Sequence, residues 1–136
     1  MARLFSLKTK IFSLLFKAAS SRFLKPVFVF LFNHTGDFMK DRNLYEGSYW
    51  RAFYHPKPTY PWHILILPKS GIRSLTDAPN ESEAFYSELF MIVKDLIEEF
   101  NLEACGYRLI TNGGTNQGVP QCHWHLISES FGEISD

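Results

Sequence analysis

The sequence predicts one domain that mixes α and β structure, with short strands around a single long helix and a basic segment in front of it. Strand composition, β-branched and aromatic residues between turn residues, occurs at residues 49–54, 63–67, 107–111 and 122–128. Helical spacing of apolar residues occurs at residues 85–100. The chain has 136 residues, 46% of them hydrophobic, and a net charge of zero, which excludes a multidomain assembly and a disordered charged tail.

The first 36 residues differ from the rest in charge. They carry six Lys and Arg and no acidic residue, whereas residues 37–136 carry an excess of acidic side chains. Apolar residues from Leu4 to Ala19 recur at helical spacing and cover one face, with Lys and Ser opposite. We therefore expect two parts, a basic amphipathic N-terminal extension at residues 1–36 and a folded body at residues 37–136.

Three roles for the extension stay open. A helix with Leu and Phe opposite Lys can lie in a lipid interface, which makes residues 4–32 a candidate for peripheral membrane contact. The same composition fits a mitochondrial transit peptide, and it also fits a helix packed on the body or at a dimer interface. Lysines interrupt every window long enough to span a bilayer. The expected location is cytoplasmic, with membrane attachment or mitochondrial import as alternatives.

An apolar run and a loop lie at the junction between the extension and the body. The run 27–32 fits a buried strand or a continuation of the extension, and residues 33–37 fit the loop. Prolines at positions 56, 58 and 61 mark a turn between the first two strands of the body. Asn80 and Glu83 form a capping-box pattern that predicts the start of the long helix. Its predicted buried face consists of Phe85, Leu89, Ile92, Val93, Leu96 and Phe100.

The last strand and the loop before it concentrate the chemistry. Because side chains alternate along a strand, one face is predicted to be polar and the other apolar. The polar face holds Gln121, His123 and His125, and the apolar face Cys122, Trp124 and Leu126. The preceding loop, residues 112–118, is rich in Gly and amides, and such loops turn backbone N–H groups toward anions. Imidazoles beside such a loop indicate phosphate chemistry.

Two segments resemble the motifs of the histidine triad (HIT) family. Residues 117–127, QGVPQCHWHLI, are similar to the family signature in which histidines alternate with apolar residues. Residues 61–69, PWHILILPK, are similar to its upstream segment, and residues 74–77, SLTD, resemble the stretch that usually comes after that segment in the family. The resemblance covers residues 43–131. Residues 125–128 followed by Phe131 are similar to the aprataxin-like branch.

The resemblance implies an α+β fold with a five-stranded antiparallel sheet and one long helix, commonly paired into a homodimer. It implies a nucleotidyl hydrolase or transferase without a cofactor, acting on a dinucleoside polyphosphate, a nucleoside phosphoramidate or an adenylated adduct. In such enzymes the middle histidine, here His123, attacks the α-phosphate and forms a nucleotidyl-histidine. His125 matches the third histidine, which assists the phosphoryl oxygens and the leaving group.

The same resemblance implies further site residues. Asn112 and Gln117 match amides that contact phosphate, with Asn116 as a competitor for the role of Asn112. His63 matches a histidine near the site, where a supporting role and a purely structural one stay open. Because the substrate is anionic, Lys57 or Lys69 is expected to add positive potential near the loop.

Four positions depart from the family pattern, and at one of them Gly71 stands where another histidine is common. Gln121 replaces the first histidine, although its backbone carbonyl can still orient His123. Gly118 stands where Ser or Thr often holds phosphate, and His55 stands where an acid often holds the ribose hydroxyls. We expect activity to survive with altered rate or nucleotide specificity.

Two other classes of function are kept as alternatives. One is a HIT-fold module that binds nucleotide and has lost its chemistry. The other is a zinc site made by His63, His123 and His125, which the family resemblance makes unnecessary, so no metal is expected. Nucleic acid is a minor alternative partner that rests on the basic extension.

Overall fold

A computed structural model describes residues 43–80 and 82–132 of the chain. The expected N-terminal helix, the apolar run 27–32 and the loop 33–37 lie outside these residues, and the division of the chain at residue 36 stays a prediction. The described elements are β1 (Asn43–Glu46), β2 (Trp50–Tyr54), β3 (Trp62–Pro68), a 3-10 turn (Leu75–Asp77), α1 (Glu83–Glu99), α2 (Leu102–Cys105), β4 (Arg108–Thr111), a 3-10 turn (Gly114–Asn116) and β5 (Trp124–Ser128).

The strands form one five-stranded antiparallel sheet in the order β1-β2-β3-β5-β4. The fold is therefore α+β, as the sequence predicts. The central strand β3 is buried along its whole length because it has a neighbour on each side and apolar side chains on both faces. The last strand in the chain, β5, lies between β3 and β4, which brings the second motif beside the first.

The hydrophobic core lies between one face of the sheet and α1. From α1 it takes Phe85, Leu89, Ile92, Val93 and Leu96, which are five of the six residues predicted for that face. The sixth, Phe100, caps the helix and packs partly buried against the core. The sheet contributes Trp50, Ala52, Ile64, Ile66 and Leu126. The helix α1 covers one face of the sheet, and the histidines lie on the opposite face.

Glu88 ties α1 to the β1–β2 turn. Its two carboxylate oxygens accept hydrogen bonds from the backbone N–H groups of Ser48 (2.8 Å), Tyr49 (2.7 Å) and Trp50 (2.8 Å). Gly47 lies against this carboxylate, because a Cβ at position 47 would lie 2.6 Å from Cδ of Glu88. The contact fixes the start of β2 on the helix.

The structure differs from the sequence prediction at several boundaries. The capping residue of α1 is Ser82, whose Oγ accepts from the N–H of Phe85 at 3.2 Å, so the prediction of a start at Asn80 is wrong. The last strand begins at Trp124 rather than at residue 122. The strand β1 and the short helix α2 were not predicted from the pattern of residues. Within the two described ranges, no helix has both the length and the apolarity required to cross a bilayer.

Candidate active site

Three histidines from different strands meet on the sheet face opposite α1. His125 pairs with Leu65 in the β3–β5 ladder, which places His63, two residues before Leu65, diagonally beside it on the same face. His55 directly follows β2, and its backbone N–H donates to the carbonyl of His63 at 2.9 Å. The rings of His55 and His63 stack with centroids 4.1 Å apart. We call these three residues, His55, His63 and His125, the imidazole cluster.

Hydrogen bonds assign one proton to each of two rings in the cluster. The N–H of Thr59 points at Nδ1 of His63 in a long hydrogen bond of 3.4 Å, so that nitrogen accepts and Nε2 carries the proton of the neutral ring. Nε2 of His63 lies 2.8 Å from Nδ1 of His125 and therefore donates to it. The proton of His125 is then on Nε2. This nitrogen has no hydrogen-bond partner among the described residues, so it is available as a donor.

His123 has the opposite tautomer. Its Nδ1 lies 2.7 Å from the backbone carbonyl of Gln121, and because a carbonyl only accepts, Nδ1 carries the proton. The lone pair of the neutral ring is then on Nε2. The carbonyl of His123 accepts a hydrogen bond from Oγ1 of Thr111 at 2.9 Å, which fixes this segment against β4. The ring centroids of His123 and His125 lie 4.8 Å apart, so the ring with the nucleophilic nitrogen adjoins the ring with the donor N–H.

Burial keeps these imidazoles neutral. It lowers the pKa of His55 to about 3 and the pKa values of His63 and His125 to about 4. Coulombic repulsion within the cluster adds to this effect for His55 and His125. Burial also lowers the pKa of His123, and its hydrogen bond to Gln121 opposes the shift. At neutral pH the site therefore holds four uncharged imidazoles.

Gln121 acts on His123 through its main chain. Its side chain is completely buried, with Oε1 unpaired and Nε2 only 3.4 Å from the carbonyl of Cys122. Among the described residues, the side-chain amide makes no hydrogen bond to the imidazole of His123. The backbone carbonyl is the group that orients His123, which is the contact expected for the residue at the first-histidine position.

The loop before β5 holds the remaining predicted residues. Thr111 pairs with Trp124, and Asn112 and His123 are the next residues beyond this pair. Asn116 lies farther along, in the 3-10 turn that Gly114 begins with φ of 58°. Gln117 is half-buried, and its Nε2 donates to the carbonyls of Arg73 and Val119. Gly118 is exposed, with open space where a side chain would lie.

The contacts of Gln117 hold the loop against the segment after β3. They lie beside an open cavity of about 300 Å³ lined by Arg73, Ser74, Asp77, Gly114, Gln117 and Pro120. In this arrangement the amide of Gln117 is occupied by backbone carbonyls. Its phosphate contact stays a prediction that requires the amide to change partner.

The imidazole cluster does not suit a metal ion as it stands. Its potential ligand atoms lie within 4.8 Å of one another. However, a metal lies in the plane of each imidazole that binds it, and the rings of His55 and His63 are stacked with planes only 25° apart. Nδ1 of His55 and Nδ1 of His63 also accept backbone N–H groups, those of Lys57 and Thr59. A shared ion would require a ring to turn.

Arg51 is a residue of this face that the sequence analysis missed. It pairs with Leu67 in the β2–β3 ladder and so lies on the same side of the sheet as Leu65 and His125. Its side chain is 13% exposed, and Nη2 lies 4.0 Å from Glu46. The alternation Arg51, Phe53, His55 in the sequence could have indicated it. Lys69, by contrast, is bound at the β1–β2 turn by Glu46 at 3.0 Å and by the carbonyl of Gly47 at 2.9 Å.

Comparison with known proteins agrees with the geometry. The HIT domain model matches residues 39–132, and the chain belongs to this family. It is 32% identical over 83 residues to a HIT-like protein of Chlamydia pneumoniae, covering 61% of this chain and 74% of the relative. The chain is also similar to solved structures of HIT proteins. A HIT family hydrolase from Legionella pneumophila has a TM-score of 0.59 and 28% identity, covering 64% of this chain and 80% of that one. A HIT family hydrolase from Clostridium thermocellum has a TM-score of 0.62 and 26% identity, with coverage of 75% and 88%.

Proposed function

We propose that the protein is a nucleotidyl hydrolase or transferase that works through a covalent intermediate on His123. The observation that supports this most strongly is the set of hydrogen bonds that assigns opposite tautomers to His123 and His125. His123 offers a lone pair at Nε2, and the neighbouring His125 offers a proton at Nε2. A nucleophile and a donor side by side are what displacement at phosphorus requires.

The proposed reaction has two displacements. Nε2 of His123 attacks the α-phosphorus of a dinucleoside polyphosphate, a nucleoside phosphoramidate or an adenylated adduct, and the bond to the leaving group breaks. The positive charge that develops on the imidazole is stabilised by the 2.7 Å hydrogen bond from Nδ1 to the carbonyl of Gln121. Water or another acceptor then attacks phosphorus and releases its proton to solvent, and the electron pair of the P–N bond returns to Nε2.

The remaining site residues have proposed binding roles. Asn112 directly follows β4 beside the segment of His123, and its proposed role is to contact the phosphate, with the loop N–H groups around Gly118 as further donors. Gln117 can contribute once its amide leaves the carbonyl of Arg73. His55 stacks on His63 at the end of the cluster away from His125, and its proposed role is to contact the ribose. His63 is a positioning residue, because it acts through His125.

A substrate panel under single-turnover conditions tests the proposal. The panel holds diadenosine polyphosphates, adenosine phosphoramidates and adenylated DNA, together with the guanosine counterparts of the first two. We expect release of the nucleoside monophosphate from at least one class by the wild-type protein and loss of that release in His123→Ala. If His123→Ala turns over the same substrate at the wild-type rate, the nucleophile is another residue.

A weakened, nucleotide-binding module is the second candidate. Two observations favour it: the amide of Gln117 is occupied by backbone carbonyls, and Gly118 offers no hydroxyl to phosphate. Calorimetry that detects AMP or GMP binding, while every substrate in the panel stays intact, would support this alternative over catalysis.

The assembly and location of the protein are further proposals. The homodimer and the aprataxin-like affiliation rest on the resemblance of the motifs. Peripheral membrane contact rests on the basic amphipathic pattern of residues 4–32, and a cytoplasmic or mitochondrial location goes with it. Flotation with anionic vesicles tests the contact, since a chain lacking residues 4–32 that floats equally well would argue against it.

A further inference from the structure

The outward face of α1 carries apolar side chains and carboxylates together. Phe90 is 54% exposed, and the adjacent Met91 is 48% exposed. Asp95 lies one turn after Met91, and Glu98 one turn later, so both exposed carboxylates stand on the Met91 side of the helix. Among the described residues, no hydrogen bond or ion pair involves either carboxylate. We call these four residues the outer face of α1.

The charge of α1 is negative, above all toward its C-terminal end. The helix has five acidic residues and one basic residue, Lys94. Its last turn holds Glu98 and Glu99 and no basic residue. The C-terminal end of a helix carries a partial negative charge, so lysine and arginine stabilise it and carboxylates do not. This end of α1 therefore favours a positively charged partner, and no ion pair of the described residues provides one.

The chain enters the domain beside this end of α1. Asn43, the first residue of β1, pairs with Phe53 in β2. The next residue of β2, Tyr54, packs edge-on against Phe100 at the end of α1, with ring centroids 6.4 Å apart. The turn after β1 is instead bound by Glu88 in the first half of the helix. The segment that precedes Asn43 therefore joins the sheet near the acidic end of α1.

One lysine distinguishes a protein surface from a lipid interface as the partner of the basic extension. At 100° per residue, Lys8 falls in the middle of the apolar face predicted for residues 4–19. Its neighbours on that face are Leu4, Ile11, Phe12 and Leu15. In lipid, the ammonium group would have to bend away from the apolar region to reach water. On the outer face of α1, carboxylates stand beside Met91 and can pair with it directly.

The connecting chain is long enough to bring the two surfaces together. Residues 20–42 join the predicted helix to β1. A coil of roughly 20 residues spans about 25 Å on average, and a helix of the length of α1 also measures about 25 Å. Such a tether gives an effective concentration on the order of millimolar. A weak contact between the two helices is therefore sufficient for docking.

We propose that residues 4–19 dock as an amphipathic helix on the outer face of α1. The apolar side chains cover Phe90 and Met91, and Lys8 pairs with Asp95 or Glu98. This inference concerns the extension and is independent of the chemistry at His123. One apolar face cannot lie on α1 and in a lipid interface at the same time, so docking competes with the membrane contact proposed above.

Photo-crosslinking of the full chain in lipid-free buffer tests the docking. The photoreactive residue p-benzoylphenylalanine replaces Phe12 on the apolar face, and benzophenones react readily with methionine. The matched control carries the same residue in place of Ser13, on the polar face. We expect a crosslink from position 12 to the α1 peptide that contains Met91, and at least about threefold less from position 13, the scale of a weak surface contact.

An exchange of charges tests the predicted pairing. Lys8→Glu, or Asp95→Lys together with Glu98→Lys, should lower the yield of this crosslink at least about threefold, because attraction becomes repulsion. All three substitutions together should restore it. The carboxylates of Asp95 and Glu98 are exposed, so the Tm of each variant should stay near that of the wild type and exclude unfolding as the cause.

Four results would overturn the proposal. The first is the absence of a crosslink to α1 in lipid-free buffer, which is the outcome for an extension that binds only membranes. The second is an equal yield from positions 12 and 13, and the third is a yield that the charge exchange leaves unchanged. The fourth is a crosslink that forms between ¹⁴N- and ¹⁵N-labelled chains in a mixture, which would assign the contact to a second copy.

Discussion

Replacement of His63 by Phe removes the hydrogen bond that sets the tautomer of His125. Phe keeps an aromatic ring to stack on His55, whereas Nδ1 of His125 loses the donor that now lies 2.8 Å away. A buried acceptor left unpaired costs about 1–3 kcal/mol. His125 avoids that cost by turning or by moving its proton to Nδ1, and either change removes the donor from the leaving group. At 1.4 kcal/mol per factor of ten, we expect kcat to fall roughly 5- to 150-fold.

Two measurements distinguish loss of the His125 tautomer from a general structural effect of the substitution. Steady-state kinetics should show the loss in kcat with little change in KM, and the ¹⁵N shifts of His125 should report loss of the Nε2–H tautomer. The matched control is His63→Gln, whose amide retains an N–H donor and should recover part of the rate. A folded His63→Phe protein with wild-type kcat would refute the reasoning. So would a His63→Gln protein that is as slow as His63→Phe while both keep the original tautomer.

Three further predictions concern stability and binding. Glu88→Ala removes the acceptor of three backbone N–H groups, so we expect the free energy of unfolding to fall by about 2 kcal/mol and Tm by roughly 8–16 °C. Glu88→Gln should lower Tm less. An unchanged Tm of Glu88→Ala in calorimetry would contradict this prediction. The imidazole cluster is neutral when folded down to about pH 4 but takes up protons below pH 6.5 when unfolded. The unfolding free energy from urea titrations should therefore fall from pH 6.5 toward pH 4, by at most about 1.4 kcal/mol per pH unit for each imidazole. A rise on acidification would be inconsistent with buried neutral rings. Asn112→Ala should lower kcat/KM roughly 10- to 100-fold by loss of a hydrogen bond to charged phosphate, whereas Asn116→Ala should leave kcat/KM nearly unchanged. If Asn116→Ala lowers kcat/KM more than Asn112→Ala does, the phosphate contact belongs to Asn116.

Local patterns in the sequence predicted much of the fold. The spacing of Phe85, Leu89 and Ile92 identified α1 because a helix buries one stripe, and the alternation around His125 identified β5 because a strand has two faces. The start of α1 was misplaced because Asn80 and Ser82 are both good capping residues, and tertiary contacts decide between them. The strand β1, with the sequence NLYE, has no alternation to reveal it and forms by pairing with β2.

The candidate site was only partly predictable. The sequence placed His123 and His125 on one face, and the resemblance of the upstream motif brought His63 close. The stacking of His55 on His63 depends on the register between β2 and β3, which no local pattern contains. The tautomers depend on backbone N–H and carbonyl groups of Thr59 and Gln121, which are invisible in side-chain identity.

The covalent intermediate on His123 is the most direct test of the proposed chemistry. The full chain is mixed with a substrate that it turns over and is denatured in alkali after milliseconds to seconds, because a P–N bond to imidazole survives base. The mass of the intact protein is then measured by mass spectrometry. We expect a transient mass increase equal to one nucleotidyl group, located at His123 by peptide mapping and missing in His123→Ala. Turnover without that adduct at any time, or an adduct that persists in His123→Ala, would contradict a histidine nucleophile at position 123.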